Sequence, residues 1–270
     1  MKSPNPVSAS LKLLGLIKNG SKRLYPDLIL PASGTPATAT EEPHPGGDAP
    51  LTWTHFPLLA SMRASLNAIW SSLVLKDASA NADIAFYGCT AAVGTTFLSF
   101  HLALYLALSH GLRTIYVDTD GDKPNDAAHP IGPTSFPGLA AYYFRDAPLD
   151  ACIHPTRVPQ FFVLPIGEKA AGPQEPHPFP VQKIRQLTTE LRGRFEAIVY
   201  DCQPVLGDPL GISFAQNVRH ILLVSRYAVS RREVCLQTVE TFRANNLDIT
   251  GVVLNQREYP IPMKFYDLLK

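Results

Sequence analysis

With 270 residues, 46% of them hydrophobic, and a formal net charge of +1, the chain can form one large domain with an apolar core and a smaller appendage. Only 17% of the residues are charged and the two signs balance, so we expect no nucleic-acid partner. The four cysteines lack the spacing of a zinc site or a disulfide framework, which favours a reduced, cytoplasmic protein. No run reaches about 18 apolar residues, so we expect a soluble or at most peripheral protein.

Two segments precede the predicted domain. The pattern of residues 1–30 is compatible with one short, basic, amphipathic helix, which would contact anionic lipid or a membrane partner; a frayed terminus with solvated lysines is the favoured alternative. Residues 31–50 are rich in Pro, Thr and Gly and are predicted to be a disordered linker. The folded domain is therefore predicted to span residues 51–270.

Apolar spacing predicts a helix over residues 56–75, and strands and helices alternate after it. Strands are predicted at 84–87, 113–118, 161–165, 196–201, 219–225 and 249–254, and helices at 95–109, near 138–145, at 181–193 and at 231–245. This alternation predicts an α/β fold with a mostly parallel sheet and helices on both faces. Ligands of such sheets bind beyond the carboxyl ends of the strands.

A glycine-bounded loop follows the first strand of this series. It reads Gly88-Cys-Thr-Ala-Ala-Val-Gly-Thr-Thr96 and leads into a long apolar helix. Strand, loop and helix in this order are the context in which a Walker A sequence, or P-loop, cradles phosphates. Gly94 stands at the last glycine of such a loop and Thr96 at its Mg²⁺-binding hydroxyl. Thr95 stands where the phosphate-binding lysine belongs, so the sequence predicts a nucleotide-binding fold without its main cation.

Three carboxylates lie where predicted strands end. Asp118 and Asp120 follow one strand, and Asp201 ends another. A strand-terminal Asp can simply cap a loop or the next helix. Three of them beside a P-loop-like turn instead favour a nucleotide site, in which Thr96 and these carboxylates hold a hydrated Mg²⁺ ion. In an active enzyme the same three aspartates would be the catalytic residues.

Four segments, in this order and at this spacing, resemble the bacterial tyrosine kinases and the related chain-length-control ATPases of capsular and exopolysaccharide biosynthesis. They are Gly88–Thr96, Val117–Pro124, Phe195–Leu206 and Ile249–Asn255. The resemblance covers about residues 56–266 and implies a P-loop NTPase-like fold of the MinD/ParA class. It also implies nucleotide contacts from Gly94, Thr95 and Thr96, and recognition of adenine by Asn255.

The departures from that family are as informative as the matches. Thr95 replaces the phosphate-binding lysine, and Thr90 stands where the class often has a second lysine. The residues that replace frequent glycines are Cys89, Ala91 and Ala92, although a left-handed backbone position wants glycine. Only Arg63 survives from the family's Glu-x-x-Arg-x-x-Arg oligomer contact, which leaves homo-oligomerisation open. In place of the C-terminal tyrosine cluster the chain has only Tyr259 and Tyr266.

The missing lysine dominates the functional expectation. Loss of one preorganised donor typically costs about 10²–10³ in rate, and here a full charge is lost. Cations that could rescue the site are Lys123, Arg226, Arg231 and Arg257. We therefore expect weak binding of ATP or ADP with Mg²⁺ and no efficient turnover.

The resemblance then implies a cytoplasmic, degenerate protein that regulates or scaffolds exopolysaccharide polymerisation and export. Its expected partner is a membrane chain-length-determinant protein (a polysaccharide co-polymerase), which would bring it to the inner membrane. Two alternatives stay open: an active tyrosine autokinase that phosphorylates Tyr259 or Tyr266, and a ParA/MinD-type positioning ATPase. A redox switch between Cys89 and Cys202 is a further alternative, although buried, inert thiols are favoured.

Overall fold

The computed structural model describes residues 28–29, 50–76, 82–120, 130–131, 136–167, 181–206 and 209–256. Within them the chain forms a seven-stranded sheet in the order β3-β4-β2-β5-β1-β6-β7. The strands are β1 (Ala82–Gly88), β2 (Thr114–Asp118), β3 (His154–Pro155), β4 (Phe161–Leu164), β5 (Ala197–Cys202), β6 (His220–Arg226) and β7 (Gly251–Asn255). All neighbouring strands pair in parallel except β3, which pairs antiparallel with β4. The predicted α/β fold with a mostly parallel sheet is thus confirmed.

Seven α-helices surround this sheet in the described part of the chain. They are α1 (Pro57–Lys76), α2 (Thr95–His110), α3 (Leu139–Phe144), α4 (Leu149–Cys152), α5 (Val181–Arg192), α6 (Pro209–Ala215) and α7 (Arg232–Ala244). Every predicted helix is present within a few residues of its expected ends. The elements that the sequence did not predict, α4, α6 and β3, are too short to leave a periodic apolar pattern.

The sheet separates two apolar cores because successive side chains of a strand point to opposite faces. On one face, Phe86 of β1 packs in a cluster with Leu66 of α1 and Phe100 of α2. On the other face, Tyr87 packs in a cluster with residues of α5 and α7 that include Leu187. Strands buried on both faces explain the near-continuous apolar runs of β5 and β6.

Helix α1 lies against α2 through Leu59, Leu66 and Leu73, which are all buried. Its Pro57–Leu75 stretch has 19 residues and a mean hydropathy of 1.3, which by length and composition alone suffices to cross a membrane. The stretch is not an unbroken apolar run, since Arg63, Asn67 and several serines interrupt it, and for that reason a count of consecutive apolar residues did not single it out. A single such helix is weak evidence of a membrane span, since a helix that packs on a core passes the same test.

Most of the two predicted N-terminal segments lies outside the described residues. Leu28 is buried in the core beside α1 and α2, and Ile29 forms a bridge with Thr156. The backbone carbonyl of Leu28 accepts a hydrogen bond from the Arg157 amide at 2.9 Å. The end of the 1–30 segment thus packs on the domain beside β3 and β4.

Candidate functional site

The loop between β1 and α2 lies at the centre of the sheet, because β1 is flanked by β5 and β6. The Cys89 amide, directly after β1, donates to the Val224 carbonyl of β6 at 2.9 Å. At the other end of the loop, Gly94 has φ +91°, a left-handed conformation that favours glycine. Parallel strands all end at this edge, so the loop faces the ends of its neighbours.

Asn255, the last residue of β7, holds this loop from the side. Its Nδ2 donates to the Val93 carbonyl at 2.7 Å. A Cβ on Gly94 would overlap the same Nδ2 atom, so a larger residue there would have to adopt a left-handed φ and also displace the Asn255 amide. The amide predicted to recognise adenine therefore contacts the loop itself, and its role toward a nucleotide stays a prediction.

Ala92 occupies a left-handed conformation as well, with φ +58°. Such a conformation raises the free energy of an L-residue by roughly 1–2 kcal/mol, whereas glycine adopts it without this strain. The replacement of a frequent glycine by Ala92 thus leaves a strained backbone in the loop.

Thr95 places a neutral hydroxyl where a working P-loop places a cation. A Cβ built on Gly88 would lie 2.9 Å from the Thr95 Oγ1 atom and 2.6 Å from the Thr90 carbonyl oxygen. The Thr95 hydroxyl is therefore packed against the start of the loop. It is too short to reach beyond the loop as a lysine ammonium would.

The three predicted carboxylates meet at the ends of β2 and β5. Asp118 and Asp201 are register partners, and Asp201 also pairs with Phe86 of β1. Asp118 Oδ1 accepts a hydrogen bond from the Asp120 amide at 3.1 Å. All three side chains are buried, with exposures of 7% or less. The structure therefore places them together beside the loop, and their roles in metal binding or catalysis stay predictions.

Neutral donors hold these carboxylates. The Tyr116 hydroxyl donates to Asp201 Oδ2 at 3.1 Å, and Gln203 Nε2 donates to Asp120 Oδ1 at 2.6 Å. Burial raises the pKa of Tyr116 well above its ordinary value, and the charges of Asp201 and Asp118 raise it further, so its proton stays on the phenol. Thr119 adds two hydrogen bonds to the Asp201 carbonyl, at 3.0 Å from its amide and 2.8 Å from its hydroxyl.

The sequence did not indicate Gln203 or Tyr116 as site residues. The one available signal for Gln203 was its position two residues after Asp201, at the same strand end. The sequence carried no signal for Tyr116, because an aromatic residue inside a strand is typical of the hydrophobic core.

The site has two parts: the carboxylates and Thr96 form its metal side, and the loop after β1 forms its phosphate side. The metal side has the oxygen ligands that Mg²⁺ needs, whereas the phosphate side lacks the cation that a nucleotide needs. In the part of the chain that the structure describes, no three His, Cys, Asp or Glu side chains are arranged to hold an ion directly. A Mg²⁺ ion that keeps several waters needs only one or two carboxylates, which Asp118 and Asp201 offer, with half-buried Thr96 in the first turn of α2. Among the residues that the structure describes, the phosphate side offers backbone amides and no lysine.

The proposed rescuing cations are only partly described. Arg226, the last residue of β6, is half-buried and in register with Asn255, whereas Arg231 is exposed just before α7. Lys123 and Arg257 lie outside the described residues, as do Tyr259 and Tyr266.

No protein-family model matches the chain. Among curated proteins, tyrosine-protein kinase wzc of Salmonella typhi is 24% identical over 168 residues, which cover 62% of this chain and 23% of that protein. Tyrosine-protein kinase ptk of Acinetobacter johnsonii is 26% identical over 197 residues, 73% of this chain and 26% of that protein. The chain thus matches about a quarter of the length of these relatives.

Solved structures show the same fold. The VpsO kinase domain has a TM-score of 0.60 and 25% identity, covering 74% of this chain and 98% of that domain. The kinase domain of the Escherichia coli tyrosine kinase ETK has a TM-score of 0.65 and 17% identity, covering 97% and 98%. The MinD cell division protein of Aquifex aeolicus has a TM-score of 0.50 and 13% identity, covering 69% and 73%.

Proposed function

We propose that this chain is a catalytically degenerate relative of the bacterial tyrosine-protein kinases, which are its homologues. In this proposal it regulates or scaffolds the polymerisation and export of exopolysaccharide or capsule. Its partner is a membrane chain-length-determinant protein, through which it acts at the cytoplasmic face of the inner membrane. The partner and the location rest on the family resemblance.

The observation that carries the degeneracy is the packing of Thr95. Phosphoryl transfer depends on positioning and on neutralising charge on the transferred group. The Thr95 hydroxyl lies against Gly88 and carries no charge, so this position cannot neutralise a phosphate. The loss of such a preorganised donor typically costs about 10²–10³ in rate.

What remains supports weak nucleotide binding. The loop amides can donate to phosphate, and Thr96 with Asp118 and Asp201 can hold a hydrated Mg²⁺ ion. The hydrogen bond from Asn255 to Val93 must break or be shared before this amide can bind a base. Binding of ATP or ADP with Mg²⁺ is thus weak and turnover slow.

The test is calorimetric titration of Mg²⁺–ATP and Mg²⁺–ADP into the wild type and Thr95→Lys. A charged hydrogen bond contributes about 1.5–3 kcal/mol, so Thr95→Lys should bind about 10- to 150-fold more tightly. Ala91→Lys, at an exposed position of the same loop where the family has no lysine, is the matched control for charge alone. Equal gains in both variants would mean that the effect is non-specific, and no gain in a folded Thr95→Lys protein would refute the degenerate-site argument.

The active autokinase is the second candidate, and the retained buried carboxylates favour it. Tight wild-type binding that is lost in Asp118→Ala would support this candidate against the first. Phosphotyrosine at Tyr259 or Tyr266 after incubation with Mg²⁺–ATP, detected by mass spectrometry, would establish it.

The scaffolding role has its own readout. It predicts that the full chain co-purifies with the cytoplasmic part of the chain-length determinant equally well with and without nucleotide. Binding that requires ATP would contradict a purely structural role.

A further inference from the structure

Strand β7 (Gly251–Asn255) lies at one edge of the sheet, and in the part of the chain that the structure describes it pairs with β6 alone. Its five residues include neither a charged side chain nor a proline. Natural edge strands are commonly protected by a charge, a proline, a bulge or a covering segment, since an unpaired edge is a template for another strand. Because β7 lacks the first two of these devices, we expect a segment that covers it.

The side chains of β7 lead to the same expectation. Val252 is 63% exposed and Leu254 is 48% exposed, and as alternate residues of a strand they share one face. Val252 is in register with Leu223 of β6, which belongs to the core cluster on the α7 side of the sheet. Val253, between them, packs instead against the opposite core. Val252 and Leu254, which we call the β7 patch, thus continue an apolar core to its exposed rim.

The backbone of β7 shows which groups an added strand would meet. The Tyr227 amide donates to the Asn255 carbonyl at 3.0 Å, so the backbone groups of Asn255 face β6. Because the backbone groups of successive strand residues point to opposite edges, those of Leu254 and Val252 face the outer edge. The residues with exposed apolar side chains are therefore also the ones with outward amides and carbonyls.

The chain itself supplies a matching segment directly after β7. Gln256 has φ +52°, and left-handed residues are typical of hairpin loops. Residues 257–270 lie outside the described residues. Within them, residues 260–264 read Pro-Ile-Pro-Met-Lys, in which Ile261 and Met263 alternate with two prolines and a lysine. Such an alternation predicts a strand with one covered face.

We propose that residues 260–264 bind β7 as an antiparallel edge strand and cover the β7 patch. A four-residue connection after β7 has a common hairpin length. It brings Ile261 opposite Leu254 and Met263 opposite Val252, so two apolar pairs form across the strands. The occupant of the patch is thus a segment of the same chain.

The two prolines fit this register and no register shifted by one residue. In an antiparallel ladder, hydrogen-bonded pairs alternate with pairs that are not bonded. Pro260 and Pro262 fall opposite Asn255 and Val253, whose backbone groups face β6, so the missing proline N–H removes no bond. A shift of one residue would place the prolines at bonding positions and would turn Ile261 away from the β7 patch.

Other occupants are less well placed. The N-terminal segment enters the described structure at Leu28, beside β3 and β4 at the opposite edge of the sheet, six strand spacings or roughly 29 Å from β7. A separate protein would have to associate from its own concentration in solution. A short connection instead holds residues 260–264 beside β7 at an effective concentration in the millimolar range.

The consequence for the candidate site passes through Asn255. This residue ends β7 and donates from its Nδ2 to the Val93 carbonyl of the loop at 2.7 Å. A strand that pairs with β7 limits the fraying of its end, so binding of residues 260–264 would hold Asn255 against the loop. This coupling is independent of whether the site binds nucleotide.

Hydrogen exchange of single backbone amides, followed by NMR on the full chain, tests the proposal. In the wild type, the outward amides of Val252 and Leu254 should exchange slowly, as the inward amide of Val253 does. Met263→Pro removes a donor at a bonding position, so it should speed exchange of both outward amides about tenfold or more and leave Val253 protected. Lys264→Pro, at the next position, falls on a pair that is not bonded; it is the matched control and should keep the wild-type protection.

A wild type in which both outward amides exchange as fast as those of an unfolded peptide would overturn the proposal. Unchanged protection in Met263→Pro would assign the cover to another segment, and an equal loss in Lys264→Pro would contradict the register. Protection that falls on about tenfold dilution would show that a second copy covers β7, because a contact within one chain does not depend on concentration. The amide of Val199, buried in β5, reports that each variant is folded.

Discussion

Substituting Asp83 by Asn should expose a pH dependence of stability that two opposed buried groups conceal in the native chain. Asp83 of β1 is fully buried and accepts a hydrogen bond from Arg192 Nε at 2.6 Å. Burial raises its pKa to about 6 even though Arg192 lowers it. His101 of α2 is also buried, with its Nδ1 donating to the Phe97 carbonyl at 2.7 Å, and burial lowers its pKa to about 4.

The two shifts act in opposite directions. The raised pKa of Asp83 gives stability that is complete below pH 3.8 and is lost as the pH rises through 6. The lowered pKa of His101 gives stability that is complete above pH 6.5 and is lost as the pH falls through 4. At about 1.4 kcal/mol per pKa unit, each effect is worth about 3 kcal/mol, so between pH 4 and 6 they nearly cancel.

In Asp83→Asn, only the pH dependence that comes from His101 should remain. The free energy of unfolding of this variant, relative to the wild type, should therefore rise by about 3 kcal/mol from pH 4 to 6.5. His101→Gln should show the opposite slope, and the double variant should be flat again. The assay is urea unfolding at half-unit pH intervals, followed by the fluorescence of Trp53 and Trp70, which are both half-buried. If Asp83→Asn kept the wild-type profile, Arg192 would fully offset the burial of the carboxylate, and the reasoning would be refuted.

Two further perturbations test the loop and the packing of α1. Gly94→Ala should destabilise the protein more than Gly111→Ala, because both glycines have positive φ but, of the two, Gly94 lacks space for a Cβ. In urea unfolding, the control Gly111→Ala should lower the free energy of unfolding by about 1 kcal/mol, and Gly94→Ala by at least about 2 kcal/mol. Equal costs would show that the Asn255 side chain moves away from the new methyl group. Leu66→Ala should cost about 2–5 kcal/mol because Leu66 is fully buried against α2, whereas Leu75→Ala on the same helix should be near neutral because Leu75 is 87% exposed. Similar small effects at both positions would mean that α1 does not pack on the domain in solution.

Much of the fold was predictable because its determinants are local. Near-continuous apolar runs predict buried strands, as in β5 and β6. The two glycines after β1 predict a tight loop between a strand and a helix. Their order along the chain then allows few topologies, since parallel crossovers are short and right-handed. The short β3 and α6 escaped prediction because a few residues carry no measurable period.

The candidate site was predictable only in part, and for the same reason. Asp118, Asp120 and Asp201 could be located because strand ends are visible in sequence and the ends of parallel strands share one edge. The partners that hold them, Tyr116 and Gln203, are chosen by distances across the sheet, which no local pattern encodes.

The sequence by itself determined the α/β class, the position of the loop and the absence of its lysine, because each is a property of consecutive residues. Only the tertiary structure decided that Thr95 packs on Gly88, that Asn255 holds Val93, and that Tyr116 donates to Asp201. These contacts join residues up to 162 positions apart. The distances between these residues are set by the packing of strands and helices on a shared core, and this packing exists only in the folded chain.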